Sequence, residues 1–493
     1  MNAYADLVRR YQRMHRLGHL QSIAAWDQQS FMPPKGNEAR AAALAEMGGL
    51  MHELATAPEL KNLLEQAEGE GLGDFERASL REMKRSWRAS NALPQALVEA
   101  LSLAGSRSGH AWREQRKAND WKGHLPNLKE VVKLTREAAG HLGQATGLSK
   151  YDALLDQYEP GMRCADIDRV FGDLRQWLPG LIRDVQARQA KETVIQPVGP
   201  FDKHAQRELG LAAMKLMGFD FDAGRLDESA HPFCGGVPED VRMTTRYKED
   251  DALPALMGVV HETGHGRYEQ NLPREWLGLP IANARSMGLH ESQSLSFEMQ
   301  LGCHPGFAQQ LSPLLMKHLG AQAAWEPENL HRLLTRVHPG YIRVDADEVT
   351  YPCHVILRYE IERALVEGEI ECEDIPALWN AKMQELLGLS TEGNYTNGCM
   401  QDVHWPEGLI GYFPCYTLGA MYAAQWFARM RQDIAGLDAG IARGELKPVF
   451  DWLQAKIWSQ GSRWETPELV QRASGEVLNP AHFQAHLRAR YLG

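Results

Sequence analysis

The chain has 493 residues, with 44% hydrophobic and 24% charged residues, the balance of a soluble globular protein and not of a fibre, a low-complexity scaffold or a disordered chain. Lys and Arg (53) against Asp and Glu (64) leave a formal charge of −11, which repels phosphate backbones and argues against nucleic acid as the main partner. No apolar run approaches the roughly 18–20 residues needed to span a bilayer, so no membrane partner is expected.

The N-terminal stretch, MNAYADLVRRYQRMHRLGHL, spreads its arginines along a helical pattern without the apolar core of a signal peptide. Asn37 is placed to cap a helix running to about Ala55. Leu80, Met83 and Trp87 form an apolar stripe at three- and four-residue spacing, and Pro126 reads as a first-turn proline before Leu128, Val131, Val132 and Thr135. Length alone suggests two to four units, but none of the Gly/Pro clusters is long or polar enough to be a flexible linker. One body is therefore expected over 1–493. Residues 1–190 form a helical N-terminal part and groove wall, 191–430 carry the metal and substrate sites, and 431–493 form C-terminal helices. Seven scattered cysteines (164, 234, 303, 353, 372, 399 and 415), without CxxC, favour reduced thiols and a cytoplasmic location.

From Val241 to Lys248, apolar and polar residues alternate with period two, predicting a half-buried strand. Shortly after it stands His261-Glu262-Thr263-Gly264-His265, an H-E-x-x-H sequence. On a helix the two imidazoles lie about 6 Å apart along the axis and about 40° apart in azimuth, so they can share one metal ion. Glu262 is rotated by about 100°, where a carboxylate can take a proton from a water the metal acidifies. Zinc lowers the pKa of such a water from 15.7 to about 7, a shift of about 12 kcal/mol. Gly264 removes a side chain where something must approach the helix closely.

A third ligand is needed. The metzincin extension fails, since Tyr268 and Asn271 occupy its glycine and histidine positions. Leu289-His290-Glu291-Ser292-Gln293-Ser294 opens a helical stretch continuing through Phe297 and Leu301. Glu291 is the first choice for the ligand and Glu298, two turns on, the second. His290 reads as a packing residue.

The segments His231-Pro232-Phe233, Asp240-Val241-Arg242-Met243-Thr244, His261 to His265, His290-Glu291-Ser292-Gln293, Ile342-Arg343 with Ala346-Asp347-Glu348-Val349-Thr350-Tyr351, and Gly398 with Gln401-Asp402-Val403-His404-Trp405 follow one another in a fixed order. With Trp26-Asp27, Met32-Pro33-Pro34 and Tyr151 to Asp156, they resemble the Taq-type thermostable metallocarboxypeptidases over roughly residues 20–430. The resemblance implies a mainly α, elongated saddle-like body with a long substrate groove, and usually a homodimer. The implied activity is metal-dependent release of single C-terminal residues from peptides. It assigns His261, His265 and Glu291 as metal ligands and Glu262 as general base. One divalent ion per chain is expected, zinc first, with cobalt or manganese also accepted. The small β-sheet is expected beside the H-E-x-x-H helix.

A C-terminal exopeptidase must recognise a carboxylate, and Arg343 resembles the family's carboxylate-binding arginine, its alternative role being an ion pair with Asp345, Asp347 and Glu348. Arg242, on the predicted strand, is a second candidate. His404 and Tyr416, with Tyr412 as alternative, are candidate oxyanion donors, although Tyr416 also fits a core aromatic. His231 and Asp402 are candidates for orienting a ligand or binding substrate. The competing functions are a groove-type zinc oligopeptidase or dipeptide-releasing peptidase, and a non-enzymatic helical peptide-binding protein.

Overall fold

The computed structural model describes residues 2–229 and 232–493, so His231 lies outside the described residues. Among the described residues the protein is mainly helical, with one small sheet. No helix among the described residues is long and apolar enough to cross a membrane. Helices Ala3–Ser30, Asn37–Ala55, Pro58–Glu68 and Asp74–Ala92 open the chain. They bury Leu7, Tyr11, Leu60, Leu64, Leu80 and Met83 in a cluster of their own, closed by Leu279 and Ile281. Trp87 packs at its margin.

Two helix starts differ from expectation. Asn37 is the first helical residue of its helix and Gly36 occupies the cap, without a side-chain bond. The helix carrying Pro126 begins at Trp121, because Asp120 accepts a hydrogen bond from Gly123 N at 2.8 Å and nucleates the helix a turn earlier. Pro126 therefore sits inside the helix, while Leu128, Val131, Val132 and Thr135 are buried as the period implies.

The sheet has strands β1 (Gly224–Glu228), β2 (Phe233–Val237) and β3 (Asp240–Thr245) in the order β1-β3-β2. β1 runs parallel to β3, with Leu226 opposite Met243, and β2 runs antiparallel to it, with Cys234 opposite Met243. Period two holds, but the strand ends at Thr245, short of Lys248. Val241 and Met243 face inward onto Met214, Phe219 and Val259. Val259 belongs to the helix Leu253–Gln270, so the sheet lies beside the helix that carries the H-E-x-x-H residues. That helix shows no polar stripe because it is covered on both sides, by the sheet and by the helix Met287–Leu295.

Helix Met287–Leu295 is capped by Ser286, which accepts from Leu289 N, and runs directly into a π-helix, Ser296–Gly302. The helix Pro414–Asp433 packs along it. The main apolar core, from Trp112 to Tyr491, joins residues of the N-terminal, central and C-terminal segments. All seven cysteines are free.

Candidate metal centre and active site

Two helices supply the candidate metal site. The helix Leu253–Gln270 supplies His261, Glu262 and His265; Met287–Leu295 supplies Glu291. A ligand atom from each of His261, His265 and Glu291 lies within 4.8 Å of the other two. The Glu291 Oε2 atom is 3.4 Å from His265 Nε2 and 4.0 Å from His261 Nε2. Close packing makes this possible. A Cβ on Gly264 would sit 2.4 Å from the Gln293 carbonyl oxygen, so only glycine lets the two helices approach this far. On the other side, a Cβ on Gly419 would lie 2.6 Å from both Cβ and Cγ of Glu291.

The back of each imidazole is held. His261 Nδ1 is 2.7 Å from Glu298 Oε2. A carboxylate only accepts, so His261 Nδ1 carries a proton and Nε2, the nitrogen on the Glu291 side, is the one left to bind a cation in place of its proton. His265 Nδ1 is 2.6 Å from His290 Nδ1, and His290 Nε2 is 2.7 Å from Glu269 Oε1. Glu269 fixes the His290 proton on Nε2, which leaves His290 Nδ1 to accept from His265 Nδ1–H and frees His265 Nε2. Both Nε2 atoms are thus the ring nitrogens left for a shared cation. Glu298 stands behind an imidazole and not in the ligand set, and His290 is an orienting group, not a packing residue. The cause for Glu298 is the π-helix: its wider turn changes the azimuth that α-helical spacing assigns to residue 298.

Charge points the same way. Burial opposes an imidazolium at His261, yet Glu291, Glu298 and Glu262 together hold its pKa up to about 10. Burial drives His265 down to about 4. Burial would raise Glu291, but the neighbouring His261 and His265 hold it below its usual range. Glu262 is pushed up to about 7 by burial, and its Oε2 is buried without a hydrogen-bond partner among the described residues. Three carboxylates gathered on one imidazole form a site short of positive charge. Two imidazole nitrogens and one carboxylate oxygen are a donor set that fits a divalent cation.

A second group faces Glu291, whose charge acts on Tyr351, Tyr412 and Tyr416. Arg343 is only 4% exposed and donates through Nε and Nη2 to Asp402 Oδ1 at 3.0 and 2.9 Å, and through Nη1 to Tyr351 OH at 2.6 Å. Its guanidinium lies 4.7 Å from the Tyr416 ring centroid. The other Asp402 oxygen takes Arg358 at 2.8 and 2.5 Å. The ion-pair partner of Arg343 is therefore Asp402, 59 residues on, and not the adjacent acidic cluster. Asp402 orients two arginines and no ligand histidine; the two guanidinium charges overcome burial and depress its pKa strongly. His404 Nε2 is 3.1 Å from Tyr416 OH, the Tyr412 and Tyr416 rings are 5.2 Å apart, and burial lowers the His404 pKa to about 4. The structure thus brings Arg343, Asp402, His404, Tyr412 and Tyr416 together. Arg242 is elsewhere: it pairs with Asp240 at 2.6 Å and lies 4.4 Å from the Trp26 ring centroid, tying β3 to the first helix.

Comparison with known proteins bears on the family and the fold. The model of the family "Carboxypeptidase Taq (M32) metallopeptidase" matches residues 6–491. Thermostable carboxypeptidase 1 of Thermus thermophilus is 39% identical, covering 99% of this chain and 98% of that protein. Thermostable carboxypeptidase 1 of Pyrococcus furiosus is 35% identical over the same shares. Among solved structures, metallocarboxypeptidase 1 of Trypanosoma cruzi superposes with a TM-score of 0.98 at 45% identity, over 100% of this chain and 99% of that one. The chain belongs to the Carboxypeptidase Taq (M32) family of metallopeptidases.

Proposed function

We propose that this metallocarboxypeptidase binds one divalent cation through His261 Nε2, His265 Nε2 and Glu291, and uses Glu262 as general base to release single C-terminal residues from peptides. The observation that carries the reading is the convergence of those three ligand atoms within 4.8 Å beside a buried Glu262 oxygen that has no hydrogen-bond partner among the described residues. The cation, zinc in our reading, with cobalt or manganese able to fill the same donor set, supplies Lewis-acid charge to the scissile carbonyl and acidifies the attacking water.

The chain's own residues do the rest. Glu262 takes the proton of the attacking water and returns it to the leaving amine. Burial raises its pKa to about 7, which suits a group that must both accept and donate near neutrality. Arg343 receives the substrate's terminal carboxylate: Asp402 and Tyr351 engage one hydrogen on each of Nε, Nη1 and Nη2, leaving the second hydrogen on each Nη for the incoming group. Tyr416, hydrogen-bonded to a His404 that stays neutral, donates to the developing oxyanion, with Tyr412 beside it. Arg242, engaged by Asp240, holds the sheet beside the helix that carries the metal ligands. Free, mostly buried cysteines support a reducing, cytoplasmic setting, and the family resemblance supports a homodimer.

The test is product mass. Metal-loaded protein is incubated with a blocked dipeptide and a longer peptide, and the products are read by mass spectrometry. Single C-terminal amino acids are expected; dipeptides or internal cuts would assign the groove to another peptidase class, and no metal-dependent product would leave only a peptide-binding role.

A further inference from the structure

The acidic segment that follows Arg343 has no part in the chemistry above, yet Glu348 is buried at the centre of a charged cluster. Its carboxylate receives His486 Nε2 at 2.7 Å, Arg490 Nη1 at 2.9 Å and Tyr491 OH at 3.0 Å, all from the C-terminal helix Ala481–Leu492. Burial opposes its charge, but His486 and Arg490 outweigh burial and hold its pKa at about 2. A buried carboxylate gripping one arginine this firmly fixes where that guanidinium points.

The Arg490 guanidinium points at the end of the π-helix. Nη1 donates to the Met299 carbonyl, and Nη2 to the Gln300 carbonyl at 3.2 Å. These oxygens need outside donors. The Cys303 N–H goes five residues back to Glu298 O at 3.0 Å, the His304 N–H goes to Leu301 O at 2.8 Å, and Pro305 has no N–H to offer. The π-helix leaves two carbonyls open, and Arg490 closes both. The same π-helix carries Glu298, whose Oε2 lies 2.7 Å from His261 Nδ1.

We propose that Arg490 is a positioning residue for the metal centre. Held by Glu348, it clamps the Met299 and Gln300 carbonyls, and so fixes the π-helix that sets Glu298 behind His261. The C-terminal helix thus reaches the cation site through three links, Arg490 to the π-helix, the π-helix to Glu298, and Glu298 to His261. This inference rests on the reading of His261 as a metal ligand.

The experiment is a double-mutant cycle read as metal affinity. The zinc dissociation constant is measured by chelator competition for the wild type, Glu298→Gln, Arg490→Gln and the double variant. Arg488→Gln, at an exposed position on the same helix, is the control. Loss of the group behind a ligand histidine typically weakens metal binding by about 10–100-fold. Glu298→Gln is expected in that range, and Arg490→Gln at about the lower end of it. The double variant should bind no more weakly than Glu298→Gln alone, and Arg488→Gln should match the wild type. The visible spectrum of the cobalt-loaded protein should change in the same direction in Arg490→Gln and Glu298→Gln. If Arg490→Gln does not fold, Arg490→Lys keeps a charge against Glu348 while losing the two-pronged grip, and its affinity should fall between wild type and Glu298→Gln. Wild-type affinity in the Arg490 variants, or losses that multiply in the double variant, would overturn the clamp while leaving the metal site standing. A wild-type chain that binds no metal would overturn both.

Discussion

His265 Nδ1 and His290 Nδ1 lie 2.6 Å apart, two imidazoles in direct contact, and Glu269 anchors the outer one. This chain of three side chains decides the His265 tautomer, since with both rings neutral only one arrangement of protons satisfies both contacts. Replacing His290 by Ala is expected to weaken metal binding by about 10–100-fold while leaving the overall fold intact. Chelator competition against an unchanged far-ultraviolet spectrum checks it.

Glu262→Gln should keep the ligand set and the metal but lose the proton acceptor. A fall in kcat of at least about 10²–10⁴-fold with an unchanged zinc dissociation constant is expected, measured on a blocked dipeptide. Turnover near that of the wild type would remove Glu262 from the chemistry.

Arg343→Ala tests carboxylate recognition. The lost charge-assisted hydrogen bonds correspond to about 1.5–3 kcal/mol, so kcat/KM should fall by about 10–100-fold on peptides with a free C-terminus. Arg343→Lys should not rescue, because an ammonium cannot reproduce the planar fork. Equal relative loss on C-terminally amidated peptides would place Arg343 in the scaffold alone.

Gly419→Ala probes the packing that seats Glu291. The new Cβ would need the space of Glu291 Cβ and Cγ, only 2.6 Å away, so Glu291 or its helix must move. Weakened metal binding together with about 1–3 kcal/mol of destabilisation is expected, by metal titration and chemical unfolding.

His354 gives a prediction about pH. It is fully buried, and burial lowers its pKa to about 3. Between that value and the ordinary value of 6.5, the unfolded chain binds a proton that the folded chain does not, so this residue costs stability as pH falls from 6.5 towards 3. The slope is about 1 kcal/mol per pH unit. His354→Leu should flatten the wild-type dependence of unfolding free energy on pH by that amount between about pH 5 and 6.

The pair His261 and His265 is legible in the sequence because both sit on one helix, where spacing alone sets direction. Glu291 is legible as a candidate for the same reason, since a helix follows at a fitting distance. What spacing cannot convey is how two helices cross. The contact of His290 with His265, and of Glu298 with His261, depends on the close approach at Gly264 and on the π-helix, neither of which has a period to read. The alternation at Val241 to Thr245 announces β3, whereas the glycine-containing β2 carries no comparable pattern. Arg343 with Asp402, and Arg490 with Glu348, are joined across 59 and 142 residues, and any of many acids could have been the partner. Helix starts failed where a local side-chain bond, such as Asp120 to Gly123 N, outweighed the proline signal.

The central claim is that His261, His265 and Glu291 hold one ion. The most direct measurement is a diffraction experiment on zinc-loaded crystals at the zinc absorption edge. The account predicts one anomalous peak per chain, about 2.0–2.1 Å from Nε2 of His261 and of His265 and about 2.0–2.2 Å from a Glu291 carboxylate oxygen. A peak bound elsewhere, or one that leaves Glu291 out of its coordination with no other acid in its place, would contradict it.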